Sequence, residues 1–545
     1  MKKDRTMLKN SFMTGAFITT LGIVITKVLG ILYVIPFHSI IGDSGGALYG
    51  YAYTIYLLFM SLSSAGIPLA ISKIISEYQT LGYYNAKRRA FIIGKRIALL
   101  LGFVCFLLLM LFAPLIARSV LGDLTGGNTI DDVVFVIRII SIAILFVPVL
   151  SIYRGYFEGH RFMSPPSISQ VLEQLIRILV IVLGSYLALN VFKMSLSFTV
   201  GVALLGATLG AIFALGYLIL KKRKNSKKFN ERIRTTNEPI ITNKQIFKKI
   251  VVYALPFIMI DVFKALYNYI DMTTVIEGLV SNANFSVLDA ETIMSMLSTW
   301  ANKFNMIVLA VSTGVIVSLI PNLTQSVIKD DKKDINKKIT QALNILLFLM
   351  IPMTVGISFL AKPIWFLFYG ESLYGPSVLA YFIFAGLVMG LFTATVSIVQ
   401  VLKDYKTVFI SLIVGVLLKL FLNNNLVSAF YKMGLPAYYG VITASIIGYL
   451  VSFIICLIVL HYKYEVNYEN VIKNFMDIIS GTMVMILVLF LFKFIVPIVS
   501  MKRFVNIFII IIYAILGALV YLLVTYKLGI IKSIFGDKFK TFKKK

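Results

Sequence analysis

The sequence predicts an all-α protein that crosses a membrane many times. Of its 545 residues, 59% are hydrophobic and 14% are charged, a composition too apolar for a soluble globular protein. About fourteen apolar segments, separated by short polar turns, each reach the roughly 20 residues needed to span the hydrocarbon core. The predicted fold class is therefore a polytopic bundle of about fourteen transmembrane helices.

Lysine and arginine residues fall in alternate loops. The basic segments include YYNAKRRAF, KKRKNSKKFNERIR, KDDKKDINKK and the tail KDKFKTFKKK, whereas GDSGGALYG, GDLTGGNTIDD, EGLVSNANFSVLDAET and YGESLYGPS contain neither residue. Because cytoplasmic loops carry the excess of positive charge, the pattern predicts an even number of helices with both termini in the cytoplasm. Anionic inner-leaflet lipid then accounts for the net charge of +28, and no nucleic-acid partner is expected.

A long basic linker divides the helices into two groups, and the two groups resemble each other. SSAGIPLAIS matches VSTGVIVSLIP, and SIYRGYFEG matches SIVQVLKDY at nearly the same separation, which also places Glu173 on Lys419. This predicts a six-helix duplication with two pseudo-symmetric lobes, in which the substrate path lies between the halves and works by alternating access. The predicted segments are lobe 1–220 (helices 1 to 6), linker 221–245, lobe 246–465 (helices 7 to 12), helices 13 and 14 in 466–530, and a basic tail 531–545.

Three lysines interrupt apolar segments. Lys27 lies in IVITKVLGILYVIPF, Lys264 takes the corresponding place in the second half, and Lys303 lies near the start of helix 8. A lysine at a helix centre costs about 2.5–3.5 kcal/mol on insertion, so it normally faces a partner or a watery cavity. The three lysines are predicted to bind an anion such as a diphosphate in a central cavity. The alternative for Lys27 is that its ammonium reaches back to the membrane surface.

Acidic residues accompany some of these charges. Asp261 and Asp271 share a helix face with Lys264, and Glu173 precedes Arg177 by one turn in the favourable orientation. These residues are candidates either for ion coupling or for structural charge pairing, and the spacing leaves both interpretations open.

Signatures of other chemistries are missing from the sequence. It contains no GxxxxGK[ST] loop, no HExxH and no paired CxxC. Cys105 and Cys456 lie in apolar runs, and His38, His160 and His461 are scattered without ligand spacing. No enzyme activity, metal site or cofactor is therefore expected.

Three segments carry a family resemblance: ITKVLGILYVIPFHSIIG, SSAGIPLAISKIISEY and RGYFEGHRFMSPPSISQVLEQLIR. They resemble the polysaccharide-transport branch of the multidrug/oligosaccharidyl-lipid/polysaccharide (MOP) exporter superfamily, in particular Gram-positive lipid II flippases of the MurJ type and the stage V sporulation protein B group. The resemblance implies a V-shaped pair of six-helix lobes, a central cationic cavity, and two C-terminal helices that help form a groove for a polyprenyl tail. It places Lys27 and Lys303 at cavity positions, whereas Tyr33 and Val34 replace an Arg-Asp pair of the proteobacterial branch.

The function expected from this resemblance is a flippase. It would move an undecaprenyl-diphosphate-linked saccharide, foremost lipid II, from the inner to the outer leaflet of a Gram-positive cell membrane. Alternatives are a flippase for another polyprenyl-linked polysaccharide (teichoic acid, capsule or sporulation), a cation-coupled drug or metabolite antiporter, and a non-transporting scaffold. An antiporter predicts a cavity dominated by carboxylates, and a scaffold predicts that cavity substitutions are silent. Expected partners are the glycolipid substrate, anionic membrane lipids and cell-envelope synthesis enzymes.

Overall fold

The structure, a computed structural model, describes residues 25–26, 29–122, 126–226, 229, 238–498 and 503–535. Regular structure in these ranges is helical throughout, and thirteen helical stretches among them are long and apolar enough to cross a membrane. The first stretch, Leu29–Leu81, contains 53 residues. At about 1.5 Å per residue it exceeds twice the ~30 Å hydrocarbon core and accommodates two crossings. The predicted all-α polytopic fold is confirmed.

The chain separates into two compact units, residues 1–273 and 274–545, with the division inside one long helix. The domain bounds predicted from the sequence divide the chain earlier, at the linker 221–245. Those bounds stay a prediction. The first unit contains α1 (Val34–Ser64), α2 (Ile67–Leu81), α3 (Tyr84–Leu121), α4 (Ile130–Ser141), α5 (Ala143–Gly159), α6 (Ser164–Leu179), α7 (Leu196–Lys224) and most of α8 (Asn243–Ala283).

The second unit contains the end of α8 and ten further helices. In the first unit, wide π-helical turns follow α6 at Val180–Gly184 and Leu187–Val191. In the second unit, a turn of the same kind lies between α9 and α10, at Met296–Trp300. The helices are α9 (Val287–Ser295), α10 (Asn302–Ile328), α11 (Lys332–Phe359), α12 (Ala361–Tyr369), α13 (Gly375–Val401), α14 (Tyr405–Lys432), α15 (Tyr438–Tyr464), α16 (Glu469–Phe492), α17 (Arg503–Lys527) and α18 (Ile530–Phe535).

Two glycines in α5 bring this helix into backbone contact with α2. A Cβ atom on Gly159 would lie 2.7 Å from the carbonyl oxygen of Ser72, and one on Gly155 would overlap the backbone of Pro68. Small residues four apart allow membrane helices to approach this closely, because nothing but backbone occupies the contact. The GYFEG part of the RGYFEGH motif is therefore a packing surface, and it fixes the position of α5 within the unit.

The end of the basic linker nearest α7 is fastened to the first unit by Phe229. This side chain is 3% exposed, and its backbone carbonyl accepts a hydrogen bond from Nζ of the buried Lys87 at 2.5 Å. Lys87 Nζ also donates to Gln79 Oε1 at 2.6 Å. Aromatic rings surround Phe229 with centroid separations of 4.4 to 6.0 Å: Tyr156, Phe157, His160 and Phe162.

A second attachment lies at the N-terminus of α3. The Glu238 carboxylate accepts hydrogen bonds from the backbone N–H groups of Asn85 at 2.8 Å and Ala86 at 3.2 Å. Because the first N–H groups of a helix have no partner within the helix, a carboxylate there is favourable both as a cap and toward the helix dipole. Glu238 and Phe229 together hold the linker against one end of the first unit.

Replacing Phe229 with alanine is expected to release this attachment. The substitution removes a fully buried ring, a change that costs roughly 3–5 kcal/mol in a well-packed site. Because the linker is rich in lysine and arginine, trypsin should cleave Phe229→Ala at least several-fold faster than the wild type in limited proteolysis. Phe247→Ala is the matched control, since that ring is 50% exposed. Equal cleavage rates in all three proteins would contradict the anchoring role.

The second unit is built around contacts among α13, α14 and α15, with α10 packed on α13. Within this core the Ser452 hydroxyl donates to the carbonyl oxygen of Ser411 at 2.7 Å. The two C-terminal helices join the unit at a different face. There α16 packs on α11, and α17 packs on α12 and on α16.

Asp404 holds the turn between α13 and α14, outside the spanning segments. Its carboxylate accepts hydrogen bonds from Lys463 Nζ at 2.8 Å and from the Thr407 backbone N–H at 3.4 Å. Burial by itself raises the pKa of Asp404, but the hydrogen bonds from Lys463 and Thr407 outweigh burial and hold that pKa below its usual value. The ionised carboxylate is therefore the form that stabilises the fold.

A pH dependence follows for Asp404→Asn. Because the folded-state pKa is lowered, the stabilisation is present in full above the ordinary carboxyl pKa of about 4 and disappears as the pH falls through the lowered value. We expect the variant to lose about 0.5–2 kcal/mol at pH 7, the usual cost of losing a helix cap. Thermal unfolding midpoints in detergent should differ at pH 7, and the difference should shrink as the pH falls below the ordinary carboxyl pKa. A constant difference across this range would exclude the carboxylate as the cause.

Candidate functional site

Three charged side chains meet between α5 and α6 in the first unit. Arg154 Nη2 donates to Glu173 Oε2 at 2.8 Å, and Arg177 Nη2 donates to Glu173 Oε1 at 2.6 Å. Arg154 Nε also donates to Ser169 Oγ at 2.9 Å. The three charged side chains are only 12–17% exposed. One carboxylate is thus shared by two guanidinium groups, largely away from solvent.

The sequence placed Glu173 and Arg177 one turn apart, and the structure pairs them; it adds Arg154, which sequence reasoning missed. Arg154 lies 19 residues before Glu173 on another helix, so no helical spacing links the two. The available signal was an arginine inside an otherwise apolar segment, which in a membrane requires a partner. Because both arginines hold Glu173, this geometry favours charge pairing over ion coupling for that residue.

The charges of α8 form a second group in the first unit. Asp261 and Lys264 are three residues apart, half-buried and close enough to interact electrostatically. Asp271 is also half-buried and lies two turns beyond Lys264 on the same helix. The structure therefore places all three inside a spanning helix, as the sequence predicted.

The other two lysines predicted to bind the anion, Lys303 and Lys27, are not in α8. Lys303 lies in α10 of the second unit, directly after the π-helical turn, and is half-buried. The Tyr369 hydroxyl donates to the carbonyl oxygen of Trp300 in that turn at 3.0 Å. Lys27 lies outside the described residues. The predicted convergence of Lys27, Lys264 and Lys303 on one cavity stays a prediction.

A buried lysine in the second unit was not assigned a role from the sequence. Lys419 in α14 is 1% exposed and donates a short hydrogen bond to Ser445 Oγ in α15. One turn further, Asn423 Nδ2 donates to Thr274 Oγ1 at 2.6 Å. The repeat comparison had matched Lys419 with Glu173 of the first half, so both repeat positions carry a buried charge.

A pocket of about 640 Å³, lined by both polar and apolar side chains, opens to solvent beside α2. Glu158 of α5, one turn after Arg154, lines it together with Ser72, Lys73, Ser76 and Glu77. The hydroxyl, ammonium and carboxylate groups of this pocket suit a polar ligand. The pocket and the Arg154–Glu173–Arg177 cluster are adjacent along α5.

An apolar groove of about 440 Å³ runs between α11, α16 and α17 in the second unit. The hydroxyl groups of its two tyrosines donate hydrogen bonds to backbone carbonyl groups. Tyr513 donates to Val496 O at 2.7 Å, and Tyr521 donates to Phe348 O at 2.9 Å. The surface is left almost purely hydrocarbon. Residues along the groove include Pro352, Met353, Gly356, Met485, Gly517 and Ala518.

Residues 42–46, GDSGG, match the GxSxG pattern of hydrolase nucleophiles. That pattern acts when its serine sits on a sharp turn from a strand into a helix. Ser44 lies instead within the helical run of α1, two residues after a kink at Gly42, where φ is 62°. The described residues also contain no group of histidine, cysteine and acidic side chains able to hold a metal ion.

Comparisons with known proteins identify the family. A family model described as polysaccharide biosynthesis protein matches residues 12–327. The lipid II flippase MurJ of Bacillus subtilis (strain 168) is 32% identical over 549 aligned positions, covering 99% of each protein. The chain belongs to the polysaccharide biosynthesis protein family. Stage V sporulation protein B of the same organism is 28% identical over 251 positions, 46% of each chain. The resemblance found in the sequence is confirmed.

Solved structures show the same fold. A lipid II flippase MurJ in an inward closed conformation superposes with a TM-score of 0.64 at 18% identity, covering 94% of this chain and 99% of that one. An inward-facing multidrug resistance MATE family transporter of the MOP superfamily gives 0.62 at 12% identity, covering 81% and 94%. At such identities the likeness shows the fold alone. The protein is a multi-pass membrane protein with the MOP transporter fold.

Proposed function

We propose that the protein is a flippase that moves lipid II from the inner to the outer leaflet by alternating access. The observation that carries the proposal is the similarity to the Bacillus subtilis lipid II flippase MurJ along 99% of both chains. A match of this length includes the two C-terminal helices as well as the lobes. The fold supports transport instead of catalysis, and no enzyme activity is proposed.

The intramembrane lysines would bind the diphosphate of the lipid. Lys264 and Lys303 are half-buried within spanning helices, and Lys27 is expected to act with them from the first helix. A compact ammonium binds phosphate as a point charge, and its desolvation in a membrane strengthens the interaction. Return of the empty carrier would be biased by the membrane potential or by a cation at Asp261 or Asp271.

The apolar groove of the second unit supplies a place for the polyprenyl tail. A tail of this kind is a long hydrocarbon, and burying each CH₂ group is worth about 0.8 kcal/mol. Both tyrosine hydroxyls along the groove already have hydrogen-bond acceptors, since Tyr513 and Tyr521 donate to backbone carbonyl groups. Helices α16 and α17 would thus add a surface for the lipid tail to the second unit.

The proposed location is the cell membrane of a Gram-positive bacterium, with both termini in the cytoplasm. The alternating basic loops support this orientation, because positive loops remain on the cytoplasmic side. Anionic lipids of the inner leaflet and cell-envelope synthesis enzymes are the proposed partners. The partial match to stage V sporulation protein B favours one second candidate, a related polyprenyl-linked saccharide.

A reconstituted flipping assay tests the function. Purified protein in liposomes should move fluorescent lipid II between leaflets, followed as loss of fluorescence to a membrane-impermeant reducing agent. A second polyprenyl-diphosphate saccharide with a different sugar, run in parallel, distinguishes the two candidates. Transport of neither lipid by the wild type would rule out the proposal. Cation-driven export of a dye by the same liposomes would support the antiporter instead.

The lysine assignment needs a matched variant. Lys303→Ala should slow flipping at least tenfold, because the diphosphate loses a cation inside the membrane. Lys333→Ala is the control, since Lys333 is exposed at the start of α11. If Lys303→Ala moves the lipid as fast as the control, the lysine assignment is wrong while the flippase proposal stands.

A further inference from the structure

We propose that Arg154 and Arg177 form a diphosphate-binding site inside the first unit, with Glu173 as the group that holds both arginines in place. The inference rests on the proposed function, because it assigns new residues to the headgroup of the same lipid. It adds a binding pair to the lysines, which the sequence had singled out, and it lies wholly within α5 and α6.

Many N–H donors of the two guanidinium groups are left unused. Each guanidinium carries five N–H donors. Three hydrogen bonds engage the two groups: two to Glu173 and one to Ser169. Most of the donors therefore have no acceptor among the described residues, and Arg177 Nε is fully buried without one. Leaving a buried donor unpaired costs about 1–3 kcal/mol, so an acceptor from outside the protein would stabilise this arrangement.

The charges of the cluster also favour an anion. Two guanidinium groups share one carboxylate, so the cluster carries a surplus positive charge. Glu158 lies one turn from Arg154 and interacts with it electrostatically, but it lines the solvent-open pocket and makes no ion pair with either arginine in the described part of the chain. An anion is the missing partner.

The arrangement of the two guanidinium groups suits the shape of a diphosphate. A diphosphate presents oxygen atoms on two phosphorus centres, and a guanidinium binds such oxygens through two parallel N–H donors. Two guanidinium groups fixed on either side of one carboxylate can therefore take one phosphoryl group each. Tyr53 and Tyr56 lie close enough to Arg177 to interact electrostatically, and their hydroxyls can donate to further oxygens.

Binding measurements on the full-length protein in detergent test the site. Native mass spectrometry would be titrated with undecaprenyl diphosphate, with undecaprenol as the neutral lipid and with inorganic diphosphate as the free anion. We expect the wild type to prefer undecaprenyl diphosphate over undecaprenol at least tenfold. Arg177→Gln should lose at least tenfold in affinity, and Arg177→Lys should recover part of it. Arg138→Gln is the control, since Arg138 is an exposed arginine of a neighbouring spanning helix.

The inorganic diphosphate arm separates the sources of the anion. If the wild type binds inorganic diphosphate and Arg177→Gln does not, the site recognises the diphosphate without the lipid. Binding of the lipid but not of the free anion, again lost in the variant, supports a site that needs the anchored headgroup. Affinity for undecaprenyl diphosphate that is unchanged in Arg177→Gln overturns the inference.

Two further comparisons distinguish a folding defect from a loss of binding, and a loss of binding from a loss of transport. If Arg177→Gln fails to fold, Arg154→Gln takes its place, and wild-type affinity for undecaprenyl diphosphate in that variant would overturn the inference. Wild-type transport of lipid II with unaffected binding in the arginine variants would leave the flippase proposal intact and remove only this site. Diphosphate binding that depends on Arg177, in a protein that flips no lipid, would retain the site and reject the flippase.

Discussion

Substituting alanine for Gly155 is expected to destabilise the first unit strongly. A Cβ atom at this position would overlap the backbone of Pro68, so α2 and α5 would have to move apart. Overpacking of this kind costs typically about 1–3 kcal/mol, and a backbone neighbour yields less than a flexible side chain. Gly155→Val should be worse still. Thermal unfolding in detergent and the yield of monodisperse protein would measure both variants.

Gly216 provides the matched control. It also lies in a spanning helix, α7, but nothing occupies the space where its Cβ atom would lie. Alanine has a higher helix propensity than glycine by about 1 kcal/mol, so Gly216→Ala should be neutral or slightly stabilising. If Gly155→Ala is as stable as Gly216→Ala, the close packing of α2 and α5 does not hold the unit together.

Glu173→Leu is the second substitution expected to have a large effect. It removes the carboxylate shared by Arg154 and Arg177 and leaves two buried guanidinium groups facing each other. Breaking a buried ion pair on one side costs about 3–5 kcal/mol, because the remaining charge stays desolvated. We expect a large fall in the unfolding midpoint and little folded protein.

A triple variant separates the structural role of this cluster from its role in transport. Arg154→Met, Glu173→Leu and Arg177→Met together replace all three charges by apolar groups of similar volume, which in buried networks is often neutral or stabilising. The triple variant should therefore regain stability relative to Glu173→Leu while lipid transport stays lost. Recovery of both stability and transport would show that the charges serve only the fold.

The helices could be predicted from the sequence, because the membrane imposes a length and a composition on every span. The sequence was also sufficient for the pairing of Glu173 with Arg177, since residues one turn apart on a helix must be neighbours. Arg154 could not be found in this way. Its partner was set by the packing of one helix on another, and that packing depends on where glycines such as Gly155 let two backbones touch.

The candidate binding lysines show a different limit. Each was recognised as a charge inside an apolar segment, but the spacing within one helix says nothing about distances between helices. Lys264 and Lys303 belong to different compact units, and Lys27 lies outside the described residues. Their proposed cooperation rests on the repeat and the family resemblance. The wide π-helical turn before Lys303 had no signature in the sequence either.

The charge cluster between α5 and α6 also constrains how the chain enters the membrane during synthesis. Arg154 lies in α5 and its counterion in α6, and only a short turn, residues 160–163, separates the two helices. A single helix that carries an unpaired arginine is costly to insert, by up to about 2.5–3.5 kcal/mol where the arginine reaches the membrane centre. If both helices leave the translocon as a hairpin, Glu173 neutralises that charge before lipid surrounds it. Biogenesis of this unit should therefore depend on the paired release of α5 and α6.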